Sequence, residues 1–274
     1  MSYWFNKSVL VTGGSSGLGR IIAETFYNAG ANLTIVALEK NDVETAAAEI
    51  SASSNTGNAV FPLHADITKQ EDVERVFAAV NERWNRLDVL VNNAGRSMRG
   101  KVLDTAPEQF QALFDLNVLG TIRCTRSAVS LFNRNTGSVK GHIINIGSLA
   151  AKSAARYVGA YPVSKFAVAA FSQQLRLELE PEGIYTLLVC PGPIQRDDER
   201  LYPLEGLENI PESARRPGAG VKTARIVPQQ LADKILRYAQ KRKAELVVPG
   251  KARLLFALSQ LFPRLGDWIV KKET

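Results

Sequence analysis

Short apolar segments alternate with longer amphipathic ones along most of the 274-residue chain. Each apolar segment is aliphatic and bounded by turn residues, which is typical of a strand buried on both faces. The predicted strands span residues 8–12, 33–38, 59–65, 87–92, 142–147 and 185–190, with a short seventh at 245–249. Helical periodicity predicts helices at residues 20–30, 42–50, 71–84, 107–132 and 228–242, and another directly after 161–165. Repeated β-α-β units with right-handed crossovers form a parallel, doubly wound sheet, so the predicted fold class is α/β.

After residue 190 this alternation gives way to a long segment rich in Pro, Gly and charged residues. Such a length is more typical of a functional lid or insert than of a plain connector, so we expect a substrate lid at about residues 193–227. An apolar helical tail is expected at about residues 251–272. Because no repeat, low-complexity tract or linker divides the chain, we expect a single domain over residues 1–274.

The composition is that of an ordinary globular protein, with 45% apolar and 22% charged residues. The net charge of +7 lies mostly after residue 190, but acidic residues are interleaved there and no nucleic-acid-binding motif accompanies them. We therefore expect no nucleic-acid partner and no metal. The two cysteines, Cys124 and Cys190, are too few for a disulfide framework, and neither a signal peptide nor a membrane-spanning run is recognisable. A cytoplasmic protein is the expectation.

A glycine-rich turn joins the first predicted strand to the first helix. It spans residues 12–19 and reads TGGSSGLG. Glycines let the backbone turn sharply and approach a diphosphate closely, while the free N–H groups at the start of the next helix favour negative charge. Gly-Ser clusters are also common in ordinary loops, but a strand before and a helix after this one favour a dinucleotide-binding turn.

The sequence YPVSK at residues 161–165 places a tyrosine and a lysine four residues apart. At that spacing Tyr161 and Lys165 share one helical face, so both can face the same site. A nearby cation favours the phenolate and lowers a tyrosine pKa from its usual value of about 10. Pro162 lacks an N–H and belongs in a first helical turn, so we expect a helix to begin within a few residues of Tyr161. Taken alone, Tyr161 could equally be an ordinary half-buried aromatic, and Lys165 a surface charge.

Taken together, the motifs resemble the short-chain dehydrogenase/reductase family. They are TGxxxGxG at residues 12–19, NNAG at 92–95, Asn117, Ser148, YxxxK at 161–165 and Pro-Gly at 191–192, in family order. The resemblance implies a three-layer α/β/α Rossmann-type fold with a sheet of about seven strands and a nicotinamide cofactor at the carboxyl ends of the strands. It implies the catalytic residues Asn117, Ser148, Tyr161 and Lys165. It also implies cofactor contacts from Gly13, Ser15, Ser16, Gly17, Leu18, Gly19, Leu38, Asp66, Ile67, Asn93, Ala94, Gly95, Tyr161, Lys165, Pro191, Gly192 and Ile194.

The implied chemistry is the reduction of a ketone or the reverse reaction. Hydride transfer to a ketone leaves a developing alkoxide, which needs a proton donor and hydrogen bonds in place. By resemblance Tyr161 donates the proton, Ser148 holds the oxyanion, and Asn117 anchors a water that connects Lys165 to solvent. Asn117 could also be a satisfied core amide, and Ser148 a loop hydroxyl.

Three further positions, Asp66, Arg196 and Gly147, either fit two roles or depart from the family pattern. Asp66 matches the family aspartate that meets the adenine, although it could also cap the following helix, a role that Thr68 serves as well or better. Arg196 stands where many relatives have a threonine that contacts the cofactor, which either changes the lid or places a cation near the diphosphate. Gly147, before Ser148, replaces a small polar residue and should matter little.

The choice between NADP(H) and NAD(H) depends on what meets the adenosine ribose. An acid at the end of the second strand would bind the 2′-hydroxyl and repel a 2′-phosphate. By resemblance this position is the uncharged Ala37, which favours NADP(H), as does the hydroxyl of Ser16. Leu38, however, stands where NADP-dependent relatives often carry arginine, and Glu39 follows it. The candidate compensating cations are Arg20 and Lys40.

The apolar residues of the lid could cover a lipid-like ketone or alcohol substrate, or could equally just pack the lid itself. These residues are Leu201, Tyr202, Leu204, Leu207 and Ile210. The tail is more apolar than a solvated helix needs, so the substrate cleft or core, a second subunit of a homodimer or homotetramer, or a bilayer surface must cover it. Its Trp268, Lys271 and Lys272 suit a peripheral membrane contact, but a basic end suits any helix C-terminus.

The main hypothesis is thus an NADP(H)-preferring ketone reductase or alcohol dehydrogenase. A non-catalytic dinucleotide-binding regulator or redox sensor on the same fold is the alternative, although a sensor would not need the proton donor. An epimerase or dehydratase is a third possibility, but such relatives usually carry a larger C-terminal sugar domain than roughly 80 residues allow.

Overall fold

Seven parallel strands form one sheet in the order β3-β2-β1-β4-β5-β6-β7. The computed structural model describes residues 2–54, 57–195, 207–216 and 224–273. The strands are β1 Ser8–Thr12, β2 Asn32–Ala37, β3 Val60–His64, β4 Val89–Asn92, β5 Gly141–Ile146, β6 Ile184–Pro191 and β7 Glu245–Val248. Every predicted strand is present, with boundaries shifted by at most two residues, which confirms the Rossmann-type α/β prediction.

Helices cover both faces of this sheet. The helices in the described parts of the chain are α1 Gly17–Asn28, α2 Lys40–Ser53, α3 Gln70–Trp84, α4 Pro107–Phe114, α5 Gly120–Phe132, α6 Tyr161–Leu179, α7 Glu212–Arg215, α8 Pro228–Gln240, α9 Ala252–Leu261 and α10 Pro263–Glu273. Buried residues of α1, α2 and α8 pack on one face, and those of α3, α5 and α6 pack on the other. The fold therefore has the three α/β/α layers expected.

Strand β1 illustrates why these sequences form central strands. All five of its residues are buried. Val9 and Val11 pack into one layer while Leu10 packs into the other, because successive side chains of a strand point to opposite faces. An aliphatic side chain at each of these positions is therefore needed. At the sheet edge β3 pairs with β2 alone and tolerates Pro62, which has no N–H to donate to a ladder.

The order of the strands creates a binding position beside β1. The chain builds outward from β1 to β2 and β3, then returns to β4 on the other side of β1 and continues outward in the opposite direction. The crossovers leave a crevice outside the carboxyl ends of β1 and β4, which is where ligands bind in such sheets. The turns after β1, β4, β5 and β6 all meet at this edge.

Two helix boundaries differ from the prediction in an informative way. Helix α1 begins at Gly17, within the glycine turn, rather than at Arg20. The single helix predicted over residues 107–132 contains a π-helical turn at Asp115–Leu119, between α4 and α5. Helix α6 begins at Tyr161 with Pro162 in its first turn, as predicted. Within the described ranges, no helix has the length and apolar character needed to cross a bilayer.

Candidate active site

One large cleft, of about 1250 Å³, lies at the carboxyl ends of the strands. Its walls are the turns that follow strands β1 to β6, the start of α6, and one side of α9 and α10. The volume exceeds the usual range for a single small ligand and leaves room for a dinucleotide together with a second molecule.

The glycine turn after β1 is shaped by two of its glycines. A Cβ on Gly19 would overlap the carbonyl oxygen of Gly13, so only glycine lets the start of α1 pack against the turn. Gly17 has a φ of +52°, which side chains rarely adopt, and no atom lies within 4 Å of where its Cβ would be. The backbone at Gly17 is therefore exposed at the N-terminus of α1, where free N–H groups favour an anion such as a diphosphate.

The turn after β4 is fastened to this glycine turn by hydrogen bonds. The Oγ1 of Thr12 accepts hydrogen bonds of 3.1 Å from the backbone N–H groups of Asn93 and Ala94. The side-chain amide of Asn93 donates to the carbonyl oxygens of Thr12 and Gly13, at 3.1 and 3.0 Å. These bonds fix the two turns relative to each other, so the sequence motifs TGxxxGxG and NNAG form one wall of the cleft.

Acidic side chains surround the end of the cleft beside β2. Leu38, Glu39 and Asp42 line it, and Leu38 is 57% exposed. Neither of the two candidate cations lines the cleft. Arg20 pairs with Glu49 at 2.6 Å, and Lys40 lies 3.9 Å from the carboxylate of Glu44.

Asp66 lines the cleft and also shapes the turn after β3. Its carboxylate accepts hydrogen bonds from the backbone N–H and the hydroxyl of Thr68, at 2.9 and 2.8 Å. Helix α3 begins at Gln70 with Lys69 at its N-cap. The alternative in which Asp66 or Thr68 caps this helix is therefore wrong, since the two side chains bond within the preceding turn.

Lys165 is a buried cation at the centre of the cleft. Its side chain is 7% exposed, and its Nζ donates a 2.8 Å hydrogen bond to the carbonyl oxygen of Ile146 at the end of β5. Burial lowers the pKa of Lys165 from 10.5 to about 8. The Nζ lies 5.8 Å from the centre of the Tyr161 ring, which is one helical turn earlier and also lines the cleft. The predicted pair therefore shares one site.

Asn117 lies behind this pair, in the π-helical turn. It is 1% exposed, and its amide oxygen accepts a hydrogen bond of 3.0 Å from the backbone N–H of Arg96. Its amide nitrogen donates to the carbonyl oxygen of Arg96 at 3.1 Å and to the hydroxyl of Ser164 at 3.0 Å. Asn117 thus ties the turn after β4 to the first turn of α6. Single π turns inside α-helices are frequent at functional sites.

Ser148 lies just after β5, with Gly147 alone between them, close to the predicted position. Its backbone is extended, and its hydroxyl oxygen accepts a 3.1 Å hydrogen bond from the N–H of Ala150, which caps a short 3₁₀ turn at Leu149–Ala151. This bond uses an acceptor lone pair and leaves the hydroxyl proton available to a ligand. The two interpretations of Ser148, loop hydroxyl and oxyanion donor, are therefore compatible.

The structure brings nearly all of the predicted site residues into the cleft lining. Gly17 and Asn117 are the predicted residues that do not line it. Gly17 contributes its positive φ to the glycine turn, and Asn117 holds neighbouring parts of the site together by its bonds to Arg96 and Ser164. Arg196 and the predicted lid residues Leu201, Tyr202 and Leu204 lie outside the described residues.

The described parts of the predicted lid are connected at their base. Ile194 and Ile226 form an isolated parallel bridge, with a 2.9 Å hydrogen bond from the N–H of Gln195 to the carbonyl oxygen of Ile226. Helix α7 lies in this segment, and the carbonyl oxygen of Arg216 accepts a hydrogen bond of 3.2 Å from the guanidinium of Arg99.

Sequence reasoning missed several cleft residues. Arg96 and Arg99 line the cleft just after the NNAG motif, and Arg99 is buried. Their closeness to that motif was a usable signal. For the apolar tail the sequence left three surfaces open, and one side of α9 and α10 lies at the first of them, the cleft, through Leu254, Leu255, Phe256, Leu258, Ile269 and Val270. No local pattern assigns them to the cleft rather than to another surface.

The crevice lies where the strand order reverses, and a glycine-rich turn followed by a helix forms one of its walls. These features together define a dinucleotide-binding α/β protein. Residues 7–200 match the family profile described as short chain dehydrogenase. The chain is 31% identical over 276 residues to the probable oxidoreductase EphD of Mycobacterium tuberculosis, covering 96% of this chain and 44% of that protein. It is 31% identical to the dehydrogenase/reductase SDR family member 7B of Xenopus tropicalis, covering 91% of this chain and 79% of that protein.

Among solved structures, a short-chain dehydrogenase from Streptomyces avermitilis superposes with a TM-score of 0.78 at 27% identity, covering 98% of this chain and 97% of the other. The chain belongs to the short-chain dehydrogenase/reductase family of oxidoreductases, whose members bind NAD(P) and act on small molecules. It spans less than half the length of the EphD protein that it matches.

Proposed function

We propose that the protein uses NAD(P)(H) to reduce a ketone to a secondary alcohol, or catalyses the reverse reaction, on an apolar, lipid-like or 3-ketoacyl substrate. The observation that carries this proposal is the position of Ser148, Tyr161 and Lys165 in one cleft, which is continuous with the glycine turn. A protein that only binds a dinucleotide would have no use for this set of side chains.

In the proposed reaction the bound nicotinamide supplies the hydride, and the protein handles the charge and the proton. The hydroxyl of Ser148 donates a hydrogen bond to the carbonyl oxygen as negative charge develops there. The phenol of Tyr161 gives its proton to the same oxygen, so the product is a neutral alcohol and the tyrosine becomes a phenolate. In the reverse direction the phenolate takes the proton back.

Lys165 stabilises the phenolate of Tyr161 in this scheme. A cation buried beside a phenol acts in a low-dielectric environment, where its field is weakly screened. The bond from Lys165 to the carbonyl oxygen of Ile146 holds the ammonium group in position. Asn117 does not touch the reacting atoms and acts as a positioning residue, through the turn after β4 and the hydroxyl of Ser164.

The apolar wall of the cleft supports a lipid-like substrate. Leu255, Phe256 and Leu258 of α9, together with Ile269 and Val270 of α10, line the cleft opposite the sheet. Burying a methylene group against such a wall contributes about 0.8 kcal/mol. Substrates with longer acyl chains should therefore bind more tightly, until the cleft is filled.

We propose a narrow preference for NADP(H) over NAD(H). Ala37 places no carboxylate at the end of β2, and Ser15 and Ser16 line the cleft, which favours a 2′-phosphate. Glu39 and Asp42 line the same end of the cleft, and their carboxylates would repel the 2′-phosphate. We expect the two affinities to differ by about tenfold or less, equivalent to about 1.4 kcal/mol.

We also propose a cytoplasmic homodimer or homotetramer. Exposed apolar side chains on α6, including Val163 and Phe166, support an association through that helix. The buried free thiols of Cys124 and Cys190 are consistent with a reducing compartment.

The test is a titration of the protein with NADPH and NADH, followed by turnover measurements on 3-keto substrates of increasing chain length. We expect oxidation of the reduced cofactor by these ketones, with KM falling by up to about fourfold for each added methylene. Tight cofactor binding without reduction of any ketone in the panel would instead favour a dinucleotide-binding regulator or redox sensor.

A further inference from the structure

The C-terminal hairpin, formed by α9 and α10 over residues 251–273, carries an unusual density of exposed apolar side chains. Fourteen large apolar side chains are exposed in the described parts of the chain, and five of them lie within residues 254–268. These five are Leu254, Leu261, Phe262, Leu265 and Trp268. The other nine are distributed over the rest of the fold, so the hairpin concentrates apolar surface that a solvated element does not need.

The hairpin is a packed element with two apolar sides. Gly266 of α10 lies against Ser259 of α9 so closely that a Cβ would come within 2.6 Å of the Ser259 Cα. The inner side of the pair lines the cleft through residues such as Phe256 and Ile269. The outer side presents Leu261 and Trp268, which are 72% and 59% exposed. Covering the substrate cleft therefore accounts for the inner side alone.

The hairpin is net basic, and Lys272 lies beside its outer side. The hairpin contains five basic residues, Lys251, Arg253, Arg264, Lys271 and Lys272, and two acidic ones, Asp267 and Glu273. The Nζ of Lys272 lies 5.3 Å from the centre of the Trp268 ring, one helical turn away. An aromatic ring beside a lysine, next to exposed leucines, is the arrangement found where helices lie at a membrane interface.

The charge balance also distinguishes a bilayer from a second copy of the chain. A two-fold contact would place the outer side of one hairpin against the same surface of its partner, and bring two net-positive patches together. An anionic bilayer complements both the apolar outer side and the lysines beside it. No described helix is long and apolar enough to span a membrane, so the contact would lie at the surface.

We propose that the C-terminal hairpin docks the protein onto the surface of an anionic lipid bilayer. The outer side, with Leu261 and Phe262 at the bend between the helices, enters the interfacial region, while Lys271 and Lys272 meet anionic headgroups. Since the inner side of the same hairpin lines the cleft, a lipid-like substrate can pass between bilayer and cleft beside it. This last step rests on the proposed function, but the docking itself does not.

The experiment is co-sedimentation of the full chain with two sets of vesicles, phosphatidylcholine alone and phosphatidylcholine mixed with phosphatidylglycerol. We expect binding to the mixed vesicles and little to phosphatidylcholine alone, with affinity falling as salt is raised. The double variant Leu261→Gln/Phe262→Gln should bind the mixed vesicles about tenfold or more weakly. The double variant Lys271→Gln/Lys272→Gln should lose about the same factor and much of the salt dependence.

A matched control separates docking from general loss of apolar surface. The double variant Val102→Gln/Leu103→Gln removes two neighbouring apolar side chains that are 55% and 93% exposed and lie outside both the hairpin and α6, and it should sediment like the wild type. None of the substituted residues lines the cleft, so dinucleotide affinity should be unchanged in all three variants and serves as the check on folding.

Three results would overturn the proposal. One is a wild type that fails to sediment with the mixed vesicles, and another is a Leu261→Gln/Phe262→Gln variant that sediments as well as the wild type. The third is an oligomer, seen by analytical ultracentrifugation, that this variant dissociates, because the outer side would then belong to a second copy. None of these measurements depends on turnover, so a failure of docking and a failure of the proposed reaction remain distinguishable.

Discussion

Lys165 is kept in a position that is unfavourable for the stability of the fold. It is nearly fully buried, and burial lowers the pKa of its ammonium group from 10.5 to about 8. Between these two values the unfolded chain binds a proton that the folded chain does not, so this group makes the fold more stable as the pH rises through that range. At neutral pH the lysine is charged in both states, and the folded state carries the full cost of burying the charge.

The substitution Lys165→Met tests this cost. Methionine has a similar length and no charge, so we expect the free energy of unfolding at pH 7, measured by urea denaturation without cofactor, to rise by up to about 3 kcal/mol. The gain should shrink as the pH approaches 10, because the wild type then loses its charge on folding. Ketone reduction should be abolished. An equal or lower stability of the variant at pH 7 would contradict the account of Lys165 as a functional group held at the expense of stability.

At the scale of elements, the pairing of α9 with α10 determines how the cleft is closed. Alanine normally favours a helix over glycine by about 1 kcal/mol. At Gly266 this gain is outweighed, since the added methyl group would come within 2.6 Å of the Cα of Ser259. Backbone cannot give way as a flexible side chain can, so the two helices would have to separate.

We therefore expect Gly266→Ala to loosen the hairpin and to raise KM for long-chain ketones by about fivefold, which corresponds to about 1 kcal/mol. Amide hydrogen exchange in residues 252–273 should accelerate, while dinucleotide affinity stays the same. Gly250→Ala is the matched control, because no atom lies within 4 Å of the position of its added methyl group. Unchanged exchange in Gly266→Ala would show that the close contact with Ser259 does not hold the hairpin.

The elements that sequence predicts well here are those set by local pattern. The aliphatic run of β1 and its alternation between two layers require a buried strand, and Pro162 marks the first turn of α6. The π-helical turn around Asn117 is not visible in the sequence, because its apolar spacing differs little from that of the flanking helices. It is stabilised by tertiary bonds from Asn117 to Arg96 and Ser164.

At the scale of the whole molecule, the sheet and most of the cleft follow from motifs at the ends of strands. Parallel strands bring their carboxyl ends to one edge, so Ser148, at the end of β5, and the turn after β1 had to meet. The remaining wall was not predictable, because α9 and α10 are apolar on both sides and periodicity cannot tell which side faces the cleft. Likewise, the pairing of Arg20 with Glu49 depends on how α1 meets α2, which a local pattern does not encode.

The arrangement of the whole cleft leads to one central claim, that Tyr161 exchanges a proton with the substrate oxygen while the surrounding turns bind the dinucleotide. The most direct measurement compares wild type and Tyr161→Phe in both respects, by fluorescence titration with NADPH and by ketone turnover. We predict that turnover falls by at least about a thousandfold, within the range of general acid catalysis, with a dissociation constant for NADPH within about threefold of the wild type. Retention of turnover in Tyr161→Phe would contradict the claim.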